Sequence, residues 1–296
     1  MDIKPFLFTR LFTVCAALAV FIGCASCSAK NTALFSAASA EQQVPAHDAV
    51  SVAPYVDTDP RAEQIRAVIG GLSARAQAAI TIAHINDFMT DLDAVLASDS
   101  PPAGEIPLLV LVDKKHQLPD GYAPRDIVRI TPNTDYNINR SDLSLRREAY
   151  DALTAMARAA RRDGITLLVS STYRSYEYQV RLYNRYVAED GQELADRYSA
   201  RPGTSQHQLG TVIDFGSITD DFAKTHMYAW LEEHASQYGW SLSFPDGYED
   251  VTGFMWECWH FRYIGATACA FQKKYFGDIQ QFMIEFIDAW KTAHGV

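Results

Sequence analysis

The sequence predicts a domain of mixed helices and short strands that follows a separate N-terminal region. Amphipathic segments with apolar residues at helical spacing alternate with short apolar runs typical of strands, and glycines and prolines separate them. The chain of 296 residues is 48% hydrophobic and 21% charged, which is ordinary for a globular protein with a full core. Its formal net charge is −10, and no basic run offsets it. We therefore expect no nucleic-acid partner.

Residues 1–23 have the pattern of a lipoprotein signal peptide. A basic segment precedes an apolar run at residues 11–23 that is too short to span a bilayer comfortably. The run closes on Phe-Ile-Gly-Cys at residues 21–24, which resembles a bacterial lipoprotein cleavage box with Cys24 as the lipidated first residue. A plain cleaved signal ending near residues 25–29 is the alternative. Either way we expect export, and lipidation would anchor the protein at a bacterial membrane, facing the cell wall or periplasm.

Two segments separate this signal from the main domain. Residues 24–60 are rich in alanine, serine and small polar residues without a sustained period, and we interpret them as a flexible tether. Residues 61–100 return apolar residues at helical spacing, which predicts a helical appendage of two helices broken near Gly70-Gly71. We expect it either to pack on the domain or to hold the domain away from the membrane. The predicted domain occupies residues 106–296.

Four segments in the first half of this domain carry regular apolar patterns. Unbroken apolar runs predict buried strands at residues 106–112 and 165–170. Amphipathic spacing predicts helices at residues 144–162 and 176–190. Arg174 follows the second strand, where it is well placed to meet a substrate carboxylate or oxyanion. Pairing with one of the many carboxylates of the chain is the alternative for this arginine.

The second half of the domain is predicted to be built around one strand at residues 211–215. Gly210 allows the chain to turn sharply into this strand, and the alternation along it sends Val212 and Asp214 to the same face. Further along the chain, the patterns predict helices at residues 227–237 and 278–292 and strands at residues 240–244 and 259–264.

A metal site is the strongest functional signal of the sequence. His207, Asp214 and His260 would supply two imidazoles and one carboxylate, a set that leaves the fourth tetrahedral position of zinc open for water. Glu257, three residues before His260, is then the natural general base for that water. A histidine and an aspartate seven residues apart occur often by chance. The second histidine and its glutamate make catalytic zinc the better interpretation.

Cys258 and Cys269 are the cysteines that belong to the domain itself. In an oxidising compartment they could form a disulfide that ties the strand carrying His260 to the helix after it. Two buried thiols are the equal alternative.

Three motifs of the chain resemble those of the VanY-type zinc D-alanyl-D-alanine carboxypeptidases, a family related in fold to the VanX dipeptidase and the Hedgehog domain. The motifs are Ser-Thr-Tyr-Arg-Ser at residues 171–175, Pro-Gly-Thr-Ser-Gln-His-Gln-Leu-Gly at residues 202–210 and Glu-Cys-Trp-His at residues 257–260. The resemblance covers about residues 106–290. Among the departures, Gln206 stands where glutamate is frequent, which removes neither a zinc ligand nor the base.

The resemblance implies an α+β fold, with a small antiparallel sheet flanked by helices around the zinc centre. It implies one zinc per chain, held by the three ligands named above, with Glu257 as the base. It also implies substrate contacts for Arg174, which would stabilise the transition state, and for Gln179 and Ser205.

The implied reaction is removal of the C-terminal D-Ala from peptidoglycan stem peptides that end in D-Ala-D-Ala. We expect the protein to act as a monomer. An L,D-carboxypeptidase or a cell-wall endopeptidase would use the same centre. A non-catalytic wall-binding lipoprotein is the alternative of a different class, and an intact Glu257 argues against it.

The proposed lipid anchor gives a first testable prediction. Substitution Cys24→Ala removes the acylated thiol, so the mature protein should move from the detergent phase to the soluble fraction in a phase-partitioning assay. Unchanged partitioning of the variant would indicate a retained apolar anchor instead.

Overall fold

A computed structural model describes residues 60–295, so the predicted signal peptide, Cys24 and nearly all of the tether lie outside the described residues. The helices are α1 (Pro60–Gly71), α2 (Ala74–Ala79), α3 (Ile85–Ser98), α4 (Arg147–Arg162), α5 (Tyr176–Asp190), α6 (Gln192–Tyr198), α7 (His226–His234), α8 (Glu249–Thr252), α9 (Ala266–Tyr275) and α10 (Gln280–His294). The strands are β1 (Ile127–Arg129), β2 (Tyr136–Ile138), β3 (Ser144–Arg146), β4 (Leu167–Ser171), β5 (Val212–Phe215), β6 (Trp240–Leu242) and β7 (His260–Tyr263). None of the helices in this part of the chain is long and apolar enough to cross a bilayer.

The central sheet has five strands in the order β2-β4-β5-β7-β6, and β1 pairs with β3 in a separate two-stranded sheet. All neighbours in the central sheet are antiparallel except β2 and β4, which run parallel. The predicted α+β fold, with a small antiparallel sheet flanked by helices, is confirmed. The parallel pair at one edge was not predicted, because β2 is a strand of three residues without a sustained apolar run.

One hydrophobic cluster lies between the central sheet and the helices that flank it. Helix α4 contributes an apolar stripe that includes Leu153 and Met156, and α7 contributes Leu231. These side chains pack with Val169 of β4 and Phe215 of β5, all of them fully buried. The sheet therefore has a fixed position under the loops that carry the predicted site.

A second cluster joins the N-terminal helices to the C-terminal ones. Phe88 of α3 is fully buried, and its ring centroid lies 4.8–6.3 Å from those of four aromatic side chains in the C-terminal part of the chain, Phe271, Tyr275, Phe276 and Phe286. Lys291 of α10 also donates a hydrogen bond of 2.6 Å to buried Asp99, which follows α3. Residues 60–98 thus share a core with α9 and α10, which is the first of the two arrangements expected for the helical appendage, packing on the domain.

The apolar segment at residues 106–112, predicted as a strand, is a loop. Two of its backbone carbonyls, those of Leu108 and Val110, accept hydrogen bonds of 2.6 and 2.8 Å from the guanidinium of Arg262 on β7. Arg262 is 1% exposed, so these carbonyls are satisfied by a buried side chain where a neighbouring strand would otherwise be needed. The strand prediction was wrong because an apolar run indicates that a segment is buried, but does not indicate which groups form hydrogen bonds with its backbone.

Two smaller boundaries also differ from the prediction. Residues 144–146 form β3, so the helix predicted from residue 144 begins at Arg147. The helix predicted to end at residue 237 ends at His234, and a 3-10 turn at Ala235–Tyr238 completes the segment. In both places apolar residues keep their helical spacing across the boundary, so the sequence pattern does not show where the backbone conformation changes.

Cys258 and Cys269 are free thiols, and both are buried. They belong to different hydrophobic clusters, Cys258 to the one under the sheet and Cys269 to the one around Phe88. The structure therefore corresponds to the alternative of two buried thiols, and burial raises the pKa of the Cys258 thiol to about 11.

The aromatic cluster around Phe88 predicts that the N-terminal helices are needed for stability. Substitution Phe88→Ala leaves a cavity between α3, α9 and α10, and should lower the free energy of unfolding by about 3–5 kcal/mol. Leu194→Ala, at a site 42% exposed, is the control and should change it by less than about 0.5 kcal/mol. Equal effects of the two substitutions in urea denaturation would contradict the shared core.

Candidate metal centre and cleft

The structure brings His207, Asp214 and His260 together at one point of the sheet. Asp214 of β5 and His260 of β7 are directly opposite each other in the antiparallel ladder. His207 lies in the 3-10 turn Gln206–Leu209, which leads into β5. Each of the three residues has a potential ligand atom within 4.8 Å of those of the other two, and all three residues are buried.

Gly210 is the residue that lets the 3-10 turn pass into β5. Its φ angle is +73°, in the left-handed region that favours glycine. A side chain at this position would also meet its neighbours too closely, because a Cβ atom would lie 3.0–3.2 Å from Ile127, Pro124 and Arg146. The sequence prediction of a sharp turn at Gly210 is confirmed.

His207 presents its Nε2 atom to Asp214. Nε2 lies 3.3 Å from Oδ2 of Asp214, while Nδ1 lies 2.7 Å from the backbone carbonyl oxygen of Thr172. A carbonyl oxygen only accepts, so Nδ1 carries the proton and donates it there. The lone pair of a neutral His207 is thereby left on Nε2, facing the carboxylate.

His260 has the opposite orientation. Its Nδ1 atom lies 3.2 Å from Oδ1 of Asp214 and 3.2 Å from Oε2 of Glu257. Its Nε2 atom lies 3.2 Å from Oε1 of Gln206. An amide oxygen can only accept a hydrogen bond, so Nε2 is the donor. Gln206 therefore holds His260 so that Nδ1 faces Asp214. Sequence reasoning missed this role of Gln206, although its position directly before His207 was a signal.

The arrangement fits a divalent metal ion. Oδ1 of Asp214 is buried and accepts no hydrogen bond within residues 60–295, although Nδ1 of His260 lies 3.2 Å from it. A metal ion would satisfy this oxygen. The two imidazole nitrogens that face it bring lone pairs to the same point. Two nitrogen donors and one oxygen donor from the protein, in a partly open cleft, are the set typical of a catalytic zinc site.

The charges of the three residues suit metal binding. Burial, together with the charge of Arg174, lowers the pKa of His207 to about 4, so His207 is neutral at pH 7. Burial would raise the pKa of Asp214, but the neighbouring imidazoles and Arg174 outweigh it and hold that pKa well below its usual range. Burial would also lower the pKa of His260, but Asp214 and Glu257 outweigh it and raise that pKa.

Glu257 lies beside the three residues and is not one of them. It is 9% exposed, and the turn that carries it is fixed by the hydrogen bond of its backbone N–H to the carbonyl of Phe244, at 3.0 Å. Burial raises the pKa of its carboxyl, against the opposing pull of His260. A raised pKa suits a carboxylate that accepts and returns a proton near neutral pH.

Arg174 contacts the metal centre itself. Its Nη2 donates a hydrogen bond of 2.8 Å to Oδ2 of Asp214 and another of 2.8 Å to the hydroxyl of Ser171. Ser171 is the residue of β4 opposite Asp214, so the register of the sheet brings the arginine to this carboxylate. The carboxylate pairing considered as an alternative is thus present, and the carboxylate is the one predicted to bind the metal.

A cleft of about 400 Å³ opens over the centre. Gln179 and Ser205, the other two predicted substrate contacts, line it together with Arg174, Glu257 and the three metal-site residues. Gln179 is 1% exposed and donates from Nε2 to the carbonyl of Ala200 at 2.7 Å. Its Oε1 is buried and accepts no hydrogen bond in the described part of the chain. This oxygen is an unsatisfied buried acceptor in a residue of the cleft wall.

Residues 142–266 match the family VanY, D-alanyl-D-alanine carboxypeptidase. YodJ of Bacillus subtilis (strain 168) is 34% identical over 169 residues, which are 54% of this chain and 61% of YodJ. The chain also spans 59% of each of the D-alanyl-D-alanine carboxypeptidases of Enterococcus faecium and Enterococcus faecalis.

Two solved structures share the fold. The LD-carboxypeptidase LdcB superposes with a TM-score of 0.55 and 29% identity, covering 64% of this chain and 92% of LdcB. The vancomycin-resistance D,D-pentapeptidase VanY of the VanB-type cassette, solved in complex with Zn(II), superposes with a TM-score of 0.51 and 26% identity, covering 60% of this chain and 98% of VanY.

The contact between Gln206 and His260 predicts a measurable effect on metal affinity. Substitution Gln206→Ala frees the His260 ring from its acceptor, and should weaken Zn²⁺ binding by about 10- to 100-fold, as loss of such orienting partners does elsewhere. Gln206→Glu keeps an acceptor oxygen and should retain the affinity. Competition with a chromophoric chelator measures both, and full affinity in the alanine variant would contradict the orienting role.

Proposed function

We propose that this protein, whose residues 142–266 belong to the VanY family, is a zinc peptidase that removes the C-terminal D-Ala from peptidoglycan stem peptides ending in D-Ala-D-Ala. The observation that carries the proposal is the convergence of His207, Asp214 and His260 with Glu257 in one cleft. Residue types and positions of this kind serve metal-assisted hydrolysis.

The zinc ion would be held by Nε2 of His207, a carboxylate oxygen of Asp214 and Nδ1 of His260. These are the atoms that the hydrogen bonds to Thr172 and Gln206 leave facing the centre. Zinc bound there supplies a Lewis acid and lowers the pKa of water toward about 7.

Glu257 acts as the general base and then as the general acid. Its Oε2 lies beside His260, next to the place where water attacks the scissile carbonyl. The carboxylate takes a proton from this water and returns it to the leaving amine, so no covalent intermediate with the protein is needed. Burial of Glu257, which raises its pKa, makes both transfers feasible near neutral pH.

Arg174 stabilises the negative charge that develops on the carbonyl oxygen. Its hydrogen bonds within residues 60–295 use Nε and Nη2, which leaves Nη1 as a donor for the substrate. The contact to Asp214 fixes the guanidinium beside the reacting group. A donor already in place costs no reorganisation during the reaction.

Ser205 and Gln179 bind the substrate backbone. Both line the cleft, and Oε1 of Gln179 is the unsatisfied acceptor described above. A substrate N–H would satisfy this oxygen.

An L,D-carboxypeptidase is the second candidate, favoured by the likeness of the fold to LdcB. It requires the same metal ligands and the same base, and differs in the configuration of the residue before the scissile bond. A non-catalytic wall-binding protein is disfavoured because Glu257 is present and faces the centre.

We further propose that the protein acts outside the cytoplasm, anchored by a lipid on Cys24. The proposal rests on the basic and apolar pattern of residues 1–23 and on the Gly23-Cys24 pair. Anchoring would hold the catalytic domain close to its polymeric substrate.

Incubation of the purified zinc-loaded protein with muropeptides tests the reaction, with products identified by mass spectrometry. Loss of one D-Ala from pentapeptide stems supports D,D-carboxypeptidase activity. Loss of D-Ala from tetrapeptide stems alone would support the L,D alternative. Binding without any cleavage would overturn the enzymatic proposal.

The role of Glu257 gives a specific prediction. Substitution Glu257→Ala should leave the fold and one bound zinc per chain intact, because the three ligands are untouched, and should lower kcat by more than about 100- to 10,000-fold, since the residue serves both proton transfers. Glu249→Ala is the matched control: Glu249 pairs with Arg197, outside the cleft, and its loss should leave kcat unchanged. The proposal is falsified if Glu257→Ala retains the wild-type rate while Zn²⁺ is bound.

A further inference from the structure

Three residues of α5 contribute to one wall of the cleft. Gln179, Tyr186 and Asp190 recur at helical spacing and all line the cleft. The helix rises about 1.5 Å per residue, so Asp190 lies roughly 16 Å from Gln179 along the helix axis. Gln179 is near the metal centre, and Asp190 therefore marks the far end of the same cleft.

Asp190 is an exposed carboxylate at the junction of two helices. It is the last residue of α5 and stands two residues before the start of α6. It accepts a hydrogen bond of 2.6 Å from the hydroxyl of Tyr198, but forms no ion pair within residues 60–295. The arginine nearest to it along the helix, Arg185, pairs instead with Glu189 at 3.9 Å. The carboxylate at this end of the cleft is thus exposed and bonded to a neutral hydroxyl.

Two tyrosines flank this carboxylate. The rings of Tyr186 and Tyr198 pack edge to face with centroids 5.0 Å apart, and both line the cleft. Burial and the bond to Asp190 raise the pKa of Tyr198, so its hydroxyl stays protonated and continues to donate. Arg185 lies over the ring of Tyr186 at 5.0 Å. An aromatic wall beside a carboxylate attracts cations through both the ring quadrupole and the charge.

We propose that Asp190, Tyr186 and Tyr198 form a subsite for an ammonium group of the substrate. The inference rests on the proposed peptidase function and names the chemistry that selects its substrate: a positively charged amine carried by the part of the peptide that remains after cleavage. Asp190 is the specificity-determining residue, and the tyrosines position it and cover the apolar part of the amine-bearing chain.

The length of the cleft places this amine on the peptide. An extended chain advances about 3.3–3.6 Å per residue, so a distance of roughly 16 Å spans four to five residues, or fewer when the amine ends a long side chain. The amine therefore belongs to a residue before the scissile bond. Two sources have this chemistry, a basic side chain and the free N-terminus of a short peptide.

Four synthetic peptides that end in D-Ala-D-Ala distinguish these sources. All carry a lysine before the D-Ala pair, and they differ only in whether the lysine side chain, the N-terminus, both or neither are acetylated. We expect wild-type kcat/KM to be about tenfold lower when the recognised amine is acetylated, as for loss of one hydrogen bond to a charged group. The acetylated position that causes the loss identifies the source of the amine.

The variant D190N keeps the shape of the side chain and removes its charge. It should hydrolyse the amine-bearing and acetylated peptides at nearly equal rates, with the rate for the acetylated peptide unchanged from wild type. E193Q is the matched control, because Glu193 is an exposed carboxylate of α6, three residues after Asp190, and does not line the cleft. This variant should keep the tenfold preference. Circular dichroism and zinc content verify that both variants are folded and loaded.

Equal wild-type rates for all four peptides would overturn the subsite and leave the peptidase function standing, independently of any variant. A preference that persists in D190N, or that disappears equally in E193Q, would overturn the role of Asp190. Failure of the wild type to cleave any of the four peptides would instead count against the peptidase function, and the subsite would fall with it.

Discussion

The buried carboxylate of Asp214 is the group on which the rest of the site depends. Two histidines and one arginine contact it, and one of its oxygens accepts no hydrogen bond within residues 60–295. Burying a charge of this kind costs several kcal/mol unless cations or donors surround it. The antiparallel register that places it opposite His260 is therefore strongly constrained, since a slip of one residue along β5 would turn the carboxylate to the other face of the sheet.

The position of His260 depends in turn on parts of the molecule far from the cleft. Arg262, two residues further along β7, is buried and holds the carbonyls of Leu108 and Val110. That loop follows Asp99, whose carboxylate is bonded to Lys291 of the C-terminal helix. A continuous set of buried polar contacts thus joins the N-terminal helices, the C-terminal helix and the strand that carries a metal ligand. Such networks fix one arrangement because leaving any member unpaired is costly.

Residue types and periodicity were enough to predict the helices around the sheet and the side chains that meet at the centre. The long helix α5 agrees with its predicted bounds, because Ser175 caps its start and Gly191 follows its end. The partners of the metal-site histidines were not predictable, since the carbonyl of Thr172 becomes an acceptor only through the placement of β4 beside the His207 turn. The docking of Phe88 against Phe286 joins positions almost 200 residues apart, and no local pattern contains that information.

The centre and the cleft divide the work of the molecule. The same metal ligands and base would serve D,D-carboxypeptidases, L,D-carboxypeptidases and endopeptidases. Substrate specificity must therefore come from side chains that contact the substrate away from the reacting atoms. A general base contributes about 100- to 10,000-fold to any of these reactions, whereas one hydrogen bond to a charged group separates two substrates by roughly 10- to 100-fold. Selectivity therefore requires several modest contacts in series, and the residues of α5 that line the cleft from Gln179 to Asp190 offer such a row.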